Sequence, residues 1–318
     1  MLNPKTLAFV FPGQGSQFVG MGRELAQTSP AAQRIFAEAD ETLGFQLSTL
    51  CWEGPEEVLT DTVNAQPALL TCSIAALRAL EEKLGEIKPA LVAGHSMGEI
   101  SALVAAGSLE FEDGLQLVRR RGEVMKAAGE KSPGGMAASL GLDAPVLIEA
   151  CAEASAATGG RVQVANDNCP GQVVISGENA ALEKAIELAK ARGAKKVRKL
   201  PVSIASHSPL MESAAEEFAR AVDAMPFIAP VPPVVGNIKA LPLTDPNEIR
   251  AELPAQLISP VRWTESVRYM IGQGVTLFIE LGSKDVLTTF FKRIDENVKG
   301  MAVGTPGEIE KLLSSSDA

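Results

Sequence analysis

Residues 90–98 read Ala-Leu-Val-Ala-Gly-His-Ser-Met-Gly, and the predicted architecture starts from this stretch. Its first four residues are apolar and predict a buried strand, and residues 98–106 have the apolar spacing of a helix. Residues 6–11 predict a second buried strand, and residues 64–83 predict the clearest helix between the two strands. Strands that alternate with helices indicate an α/β protein with a parallel sheet.

The sequence pattern changes after residue 130. Lys131-Ser-Pro-Gly-Gly135 resembles a linker. The shorter elements predicted over residues 136–200 follow the order βαββαβ, which is typical of a ferredoxin-like unit. Longer α/β elements resume after Pro201, so this unit is predicted to be an insertion.

We therefore predict two domains. The larger α/β domain comprises residues 1–130 and 201–318, and the smaller ferredoxin-like domain, residues 131–200, is inserted into it. The last helix is predicted over residues 284–294, and residues 312–318 are expected to form a loose tail.

Composition limits the classes of protein to which the chain can belong. Its 318 residues, 46% of them hydrophobic, can bury a sizeable core. Its net charge of −10 argues against general nucleic-acid binding. Four widely spaced cysteines and two histidines supply neither a disulfide framework nor a zinc cluster, so no metal is expected. Because no apolar run approaches about 18 residues, we expect a cytoplasmic protein that does not enter a membrane.

The segment from Gly94 to Gly98 fits the pattern G-x-S-x-G between a strand and a helix. In a nucleophile elbow of this kind the serine, here Ser96, stands in a sharp turn at the carboxyl end of a strand, and glycines avoid collisions with neighbouring backbone. The N–H of Met97 could then stabilise an oxyanion. The alternative is an ordinary glycine-rich turn in which Ser96 caps the following helix.

A nucleophilic serine needs a base, and the chain offers two histidines. His95 is adjacent to Ser96, so its side chain is expected to point away from the serine hydroxyl. His207 is the remaining candidate, although a lone histidine in a loop is more often a polar residue with ordinary partners. The sequence singles out no acid as a third member, so a Ser–His dyad supported by a backbone carbonyl and a triad both remain open.

Glycines also follow the first strand, in Phe11-Pro-Gly-Gln-Gly-Ser-Gln17. A dinucleotide-binding loop would need glycine where Phe18 stands, and the lysine of a phosphate-binding P-loop is absent. Bare backbone beside a strand end could instead supply a second N–H to an oxyanion, near Gln14. The alternative is a simple tight turn.

Three consecutive arginines, residues 119–121, share one predicted helix. Only Arg121 has apolar residues three and four positions away in both directions: Leu117, Val118, Val124 and Met125. A buried arginine without a partner is too costly to keep, so Arg121 must meet a protein carboxylate or the anion of a ligand. A structural salt bridge is the alternative to a binding role.

Together these motifs resemble those of the malonyl-CoA:acyl-carrier-protein transacylase family, the acyltransferases of fatty-acid synthesis that are related to polyketide synthase acyltransferase domains. The resemblance covers nearly the whole chain. The segments that carry it are Phe11-Pro-Gly-Gln-Gly-Ser-Gln17, Gln66-Pro-Ala-Leu69, Gly94-His-Ser-Met-Gly-Glu99, Arg121-Gly122, Pro170-Gly-Gln-Val-Val174, Ser206-His207 with Met211, Gln256, and Pro260-Val-Arg-Trp-Thr264.

The resemblance implies a role for each candidate residue. It implies Ser96 as the nucleophile, His207 as the base and Arg121 as the residue that binds the malonyl carboxylate. It also implies oxyanion-binding N–H groups at Gln14 and Met97. The implied reaction is ping-pong: the serine takes the malonyl group from malonyl-CoA and passes it to the phosphopantetheine thiol of acyl carrier protein, with no metal or redox cofactor.

Two further positions match the family. Gln256 corresponds to the residue whose backbone carbonyl orients the histidine, and Asn168 to a residue that lines the site. The implied fold is an α/β-hydrolase-like core with a ferredoxin-like insertion. The resemblance implies a preference for a carboxylated acyl group. Ile204-Ala-Ser-His207 departs from both common polyketide-type versions of this stretch, so the choice between malonyl and methylmalonyl stays open.

A chain with net charge −10 should repel an acidic carrier protein, so a local basic surface is expected. The candidates are six residues near the end of the predicted insertion: Lys190, Arg192, Lys195, Lys196, Arg198 and Lys199. The alternative for them is a solvated helix end and edge strand. Two other functions also remain as alternatives, a serine hydrolase and a catalytically silent module that binds carrier protein.

Overall fold

The computed structural model describes residues 2–316, which fold around two β-sheets. The strands of this part of the chain are β1 (Leu7–Phe11), β2 (Leu91–Gly94), β3 (Gly134–Leu140), β4 (Val162–Cys169), β5 (Gln172–Glu178), β6 (Lys196–Lys199), β7 (Val234–Val235), β8 (Pro242–Leu243), β9 (Leu277–Leu281) and β10 (Lys299–Val303).

Helices connect most of these strands, and two short 3₁₀ turns add to them at Pro4–Thr6 and Pro209–Met211. The α-helices are α1 (Arg23–Thr28), α2 (Pro30–Leu43), α3 (Leu47–Glu53), α4 (Glu56–Thr60), α5 (Thr62–Leu84), α6 (Gly98–Ala105), α7 (Phe111–Lys131), α8 (Ala144–Thr158), α9 (Asn179–Ala191), α10 (Glu212–Asp223), α11 (Pro246–Gln256), α12 (Trp263–Gly272), α13 (Thr288–Ile294) and α14 (Pro306–Ser316).

The larger sheet has the strand order β10-β9-β1-β2-β7-β8. Neighbouring strands in it are parallel except β8, which is antiparallel to β7. Leu7, Phe9 and Phe11 pack into the apolar cluster on one face of the sheet, and Ala8 and Val10 into the cluster on the other. Because both faces are covered, the central strands are continuous apolar runs, and the carboxyl ends of β1, β2 and β7 meet at one edge.

The smaller sheet is antiparallel, with the order β4-β5-β3-β6. Its elements occur along the chain as strand, helix, strand, strand, helix, strand, which is the predicted order. Ala137, Val173 and Ile175 pack toward α8 and α9 on one face. The unit joins the rest of the protein along β4, where the N–H of Asp167 donates to the carbonyl of Val261 at 2.9 Å. This contact brings β4 beside the edge at which the strands of the larger sheet end.

The predicted linker, residues 131–135, is wrong in extent. α7 continues to Lys131 and β3 begins at Gly134, so only two residues separate regular elements. A Cβ at Gly134 would lie 2.6 Å from the carbonyl oxygen of Gly177, which explains a glycine inside a strand. Closeness to the neighbouring strand, rather than linker flexibility, accounts for this glycine.

The end of the chain is also more regular than expected. The last predicted helix begins at Thr288 rather than at residue 284, and β10 and α14 follow it. Residues 312–316 of the predicted tail are helical, and residues 317–318 lie outside the described part. Ile309 and Leu312 are buried one turn apart, with 4% and 1% exposure, so a single apolar face packs this helix onto the core.

Residues 2–316 contain neither a membrane-spanning helix nor a cluster of metal-binding side chains. None of their helices combines the length and the apolar character that a membrane crossing requires. No three or more His, Cys, Asp or Glu side chains within this range form a group that could hold a metal ion. The four cysteines are buried and free of disulfide bonds.

Candidate active site

Ser96 lies in the turn between β2 and α6, at the carboxyl edge of the larger sheet. Its φ of 54° is in the left-handed region, which non-glycine residues seldom adopt. Asn237, just after β7, stabilises the turn from both sides. Its Oδ1 accepts from the Ser96 N–H at 2.8 Å, and its Nδ2 donates to the Gly94 carbonyl at 2.7 Å. The neighbouring parallel strand therefore fixes the backbone of the serine.

The glycines of the turn are required by close backbone approach, as the sequence predicts. A Cβ on Gly94 would lie 1.8 Å from the Gly98 carbonyl oxygen. A Cβ on Gly98 would lie 2.3 Å from the carbonyl oxygen of Phe11 at the end of β1. The two glycines thus allow α6 to begin directly above the strand ends.

Ser96 and His207, far apart in sequence, meet in the structure. The serine Oγ is 2.8 Å from His207 Nε2. On the other side of the ring, Nδ1 lies 2.8 Å from the carbonyl oxygen of Gln256 and 3.2 Å from that of Ser259. These acceptors assign the proton to Nδ1, so Nε2 can accept from the serine hydroxyl. Neither ring nitrogen meets a carboxylate within residues 2–316, which makes this a dyad supported by backbone carbonyls.

His207 is almost completely buried, with 3% exposure. Burial, followed by the nearby charge of Arg121, lowers its pKa to about 3. The imidazole is therefore neutral near pH 7. His95 has different partners: its Nε2 is 2.9 Å from Asn168 Oδ1, and its ring lies edge-on to Trp263 at 5.6 Å.

Arg121 is buried at 2% exposure, as predicted from its apolar neighbours on α7. One terminal nitrogen donates to Gln66 Oε1 at 3.0 Å, and the other donates to Gln256 Oε1 at 2.9 Å and to Ser96 Oγ at 3.2 Å. Burial lowers the pKa of Arg121 to about 10, so the group is still a cation at neutral pH. Within residues 2–316 it forms no salt bridge, so its hydrogen bonds go to neutral oxygens and its charge faces the serine.

Two backbone N–H groups beside Ser96 are available to a ligand. Those of Gln14, after β1, and Met97, before α6, have no acceptor among the described residues. The Gln14 side chain is fixed by Thr62, whose hydroxyl donates to its Oε1 at 3.0 Å. The ends of the adjacent strands β1 and β2 are thus each followed by a donor that is unpaired among the described residues, which is the composition of an oxyanion hole.

The smaller sheet also contributes to the site. Asn168, on β4, is 7% exposed and contacts His95 rather than Ser96 or His207. Gln163, also on β4, donates from Nε2 to the backbone carbonyl of His207 at 2.7 Å. Two side chains of β4 therefore hold the backbone of His207 and the ring of His95.

Three residues that contact these groups did not stand out from their own sequence context. Gln66 and Glu99 lie within helices, and Asn237 lies two residues after the short strand β7. All three are 0% exposed. The feature that would have marked these residues as important is the complete burial of a polar side chain. Burial cannot be read from the sequence, so only the structure reveals it.

A serine–histidine pair at the carboxyl edge of a mostly parallel sheet, with unpaired N–H groups beside it, is the arrangement of α/β enzymes that handle acyl groups. The chain belongs to the acyl transferase family, whose domain model, "Acyl transferase domain", matches residues 8–305.

The names of similar proteins are more specific than the description of the family. A relative from Bacillus subtilis strain 168, named malonyl CoA-acyl carrier protein transacylase, is 49% identical over 309 residues, which cover 97% of this chain and 96% of that protein. The crystal structure of an acyl carrier protein S-malonyltransferase from Vibrio cholerae matches with TM-score 0.93 and 44% identity, over 96% of this chain and 99% of that one. A malonyl-transacylase in complex with a type II PKS acyl-carrier protein matches with TM-score 0.93 and 41% identity, over 97% and 99% of the two chains.

The low pKa of His207 can be measured directly, because the chain has only two histidines. We expect nitrogen-15 NMR to show a neutral ring down to about pH 5, against an ordinary midpoint of about 6.5. Arg121→Ala should raise the pKa of His207, because it removes one of the causes that lower it. A His95→Gln variant assigns the resonances. A His207 midpoint at or above the ordinary value would contradict this account.

The same shift affects stability in a defined direction. An unfolded imidazole takes up a proton near its ordinary pKa of about 6.5, whereas burial holds the pKa of folded His207 near about 3. Between these values the unfolded state binds more protons than the folded state. The histidine therefore contributes a loss of stability as the pH falls through this window.

Proposed function

We propose that this chain transfers a malonyl group from malonyl-CoA to the phosphopantetheine thiol of acyl carrier protein, supplying fatty-acid chain elongation, through a malonyl ester on Ser96. The observation that carries the proposal is the buried Arg121 guanidinium, 3.2 Å from the serine Oγ and without a carboxylate partner in residues 2–316. Such a group favours an acyl chain that ends in a carboxylate. The names of the similar proteins, which include malonyl and acyl carrier protein, support the same substrates.

The first half-reaction forms the ester. Ser96 Oγ attacks the thioester carbonyl while its proton passes to Nε2 of neutral His207, which is 2.8 Å away. The N–H groups of Gln14 and Met97 stabilise the oxyanion. Collapse of the tetrahedral intermediate breaks the carbon–sulfur bond, and the imidazolium returns the proton to the thiolate of coenzyme A.

The malonyl carboxylate also affects the base. The charge of Arg121 is one cause of the lowered pKa of His207. A carboxylate bound to the guanidinium offsets that charge, so the pKa of the imidazole rises when the correct acyl group is present. A carboxylated substrate therefore makes His207 a stronger base at the moment when it must accept a proton.

The second half-reaction is the reverse of the first with a different thiol. His207 takes the proton of the phosphopantetheine thiol, the sulfur attacks the serine ester, and Ser96 leaves as its Oγ regains the proton. The reaction is ping-pong, because coenzyme A departs before the second thiol acts. The proposed steps use the groups already named, so we propose no metal or redox cofactor. Gln256 orients the base through its carbonyl, and Asn168 lines the site through its contact with His95.

We also propose the finer architecture: an α/β-hydrolase-like core, residues 1–130 and 201–318, and a ferredoxin-like insertion, residues 131–200. The serine turn after a central parallel strand supports the first assignment. The strand order β4-β5-β3-β6, with two helices on one face, supports the second.

We propose that the carrier protein docks on the basic residues of the smaller unit. Arg192 and Lys199 form ion pairs with Glu153 and Glu183, which partly neutralise them. The basic side chains of the cluster that are exposed and make no ion pair within residues 2–316 are those of Lys190, Lys195, Lys196 and Arg198.

Lys196 and Arg198 are the best candidates for this contact because of the sheet face on which they lie. They alternate along β6 with Val197, which packs toward α8 and α9, so they project from the opposite face. Gln163 of β4 alternates in the same way and contacts His207. The two basic residues therefore share a sheet face with Gln163, and their strand is three strand spacings, or roughly 14 Å, from β4.

The proposed function is tested by intact-mass measurement after incubation with malonyl-CoA, methylmalonyl-CoA and acetyl-CoA. We expect a malonyl adduct that maps to Ser96, persists without a thiol acceptor and is cleared by carrier protein. Ser96→Ala should give no adduct, and methylmalonyl-CoA reports how strict the choice of acid is. Rapid loss of the adduct to water would favour a serine hydrolase, and no adduct at all would favour a silent binding module. An adduct on a cysteine would contradict the assignment.

The docking surface is tested by reversing the charge of Lys196 and Arg198 together. Binding of an acidic carrier should weaken, so the KM for carrier protein should rise severalfold and its salt dependence should decrease. Acylation by malonyl-CoA should not change. Reversal of Lys5 and Lys88, which precede β1 and β2 at the opposite edge of the sheet, makes the same change in net charge and is the control. Equal KM values in both double variants would contradict docking at this face.

A further inference from the structure

Gln256 contacts the proposed nucleophile, the proposed base and Arg121. Its backbone carbonyl accepts from His207, and its side-chain Oε1 accepts from Arg121 at 2.9 Å. Its Nε2 donates to the Ser96 carbonyl and to Glu99 Oε2, each at 3.1 Å. The orientation of this one amide therefore determines whether an oxygen or an N–H faces the guanidinium.

An amide can rotate by half a turn, so its orientation has to be set by its partners. The two N–H bonds of Gln256 need two acceptors, because a buried N–H without one is costly. The Ser96 carbonyl supplies one acceptor and Glu99 the other. The second amide at Arg121 is oriented similarly, since Gln66 Nε2 donates to the hydroxyl of Thr62 at 2.9 Å.

Glu99 itself is fixed and shielded from solvent. It lies in the first turn of α6 and is 0% exposed, and its Oε2 also accepts from the backbone N–H of Asn237 at 2.9 Å. Its other oxygen, Oε1, has no partner within the described residues. The same carboxyl oxygen thus links the amide beside Arg121 to Asn237, which fixes the backbone of Ser96.

We propose that Glu99 is a positioning residue: it orients the Gln256 amide so that the Arg121 guanidinium is aimed at the carboxylate of the acyl group. The inference rests on the proposed function and deepens it by adding a residue that determines specificity without touching the substrate. The effect acts through Gln256, since Glu99 makes no hydrogen bond to Arg121 in this structure.

The charge state of Glu99 is consistent with this role. Burial, with repulsion from Glu252, raises the pKa of Glu99 well above its usual range. Burial therefore favours the neutral carboxyl, in which Oε2 can still accept both N–H bonds and less opposite charge faces Arg121.

The test compares variants of similar size that differ in acceptor capacity. Glu99→Gln keeps an oxygen that can accept from Gln256 and Asn237, whereas Glu99→Met does not. We expect Glu99→Gln to keep the wild-type ratio of kcat/KM for malonyl-CoA to that for acetyl-CoA. Glu99→Met should lower this ratio between about tenfold and a hundredfold, because a misdirected guanidinium affects only the carboxylated substrate.

Glu280→Gln is the matched control. Glu280 is a buried carboxyl on β9, 0% exposed, whose two oxygens accept from the N–H groups of Leu287 and Thr288. It makes no hydrogen bond to Gln256 or Arg121 and is not among the charges that shift the pKa of Glu99, so its substitution should change the melting temperature without changing the ratio. If Glu99→Met does not fold, Glu99→Asp replaces it, because the shorter side chain keeps the carboxyl but withdraws it from Gln256.

The possible results separate the two proposals. A ratio unchanged in both Glu99→Met and Glu99→Asp, or lowered equally in Glu99→Gln, would overturn the positioning role. Equal loss of activity on both substrates would also overturn it, since that is the result of a purely structural residue. Failure of the wild-type protein to transfer malonyl at all would instead contradict the proposed function.

Discussion

The rest of the site depends on the cost of burying the Arg121 guanidinium. Two glutamine amides and a serine hydroxyl satisfy its hydrogen bonds but bring no opposite charge. None of its hydrogen-bond partners carries the opposite charge, so an anion that reaches it beside the proposed nucleophile gains more than it would in water. The charge of Arg121 also lowers the pKa of His207, which ties the strength of the base to the presence of that anion.

The parallel sheet makes this arrangement possible with few residues. β1, β2 and β7 are neighbours that end at the same edge, so Gln14, Ser96 and Asn237 converge although they lie far apart in sequence. His207 lies in the segment that follows β6, and the carbonyl oxygen 2.8 Å from its Nδ1 belongs to Gln256 at the end of α11. A strained serine backbone is maintained because Asn237 hydrogen bonds to both sides of the turn.

The sequence predicted those features that depend on local pattern or on scarcity of a residue type. Gly94 and Gly98 indicated the turn, and the shortage of histidine left His207 as the candidate base. It did not single out Asn237 or Glu99, because their importance comes from contacts across strands rather than from spacing along the chain. The prediction of a loose tail was wrong for residues 312–316, which belong to α14. This helix is held to the core by few apolar residues and ends in serines, so its sequence resembles that of a disordered end.

The central claim, that Arg121 selects carboxylated acyl groups, is tested most directly by kcat/KM of Arg121→Ala for malonyl-CoA and acetyl-CoA. The account predicts a loss of about 30-fold to a few thousand-fold for malonyl, as for truncation of a buried charged pair, while acetyl transfer holds or improves. Arg121→Lys should recover only part, because it lacks the planar fork of donors. An unchanged malonyl-to-acetyl ratio, with both activities and the melting temperature falling together, would contradict the claim.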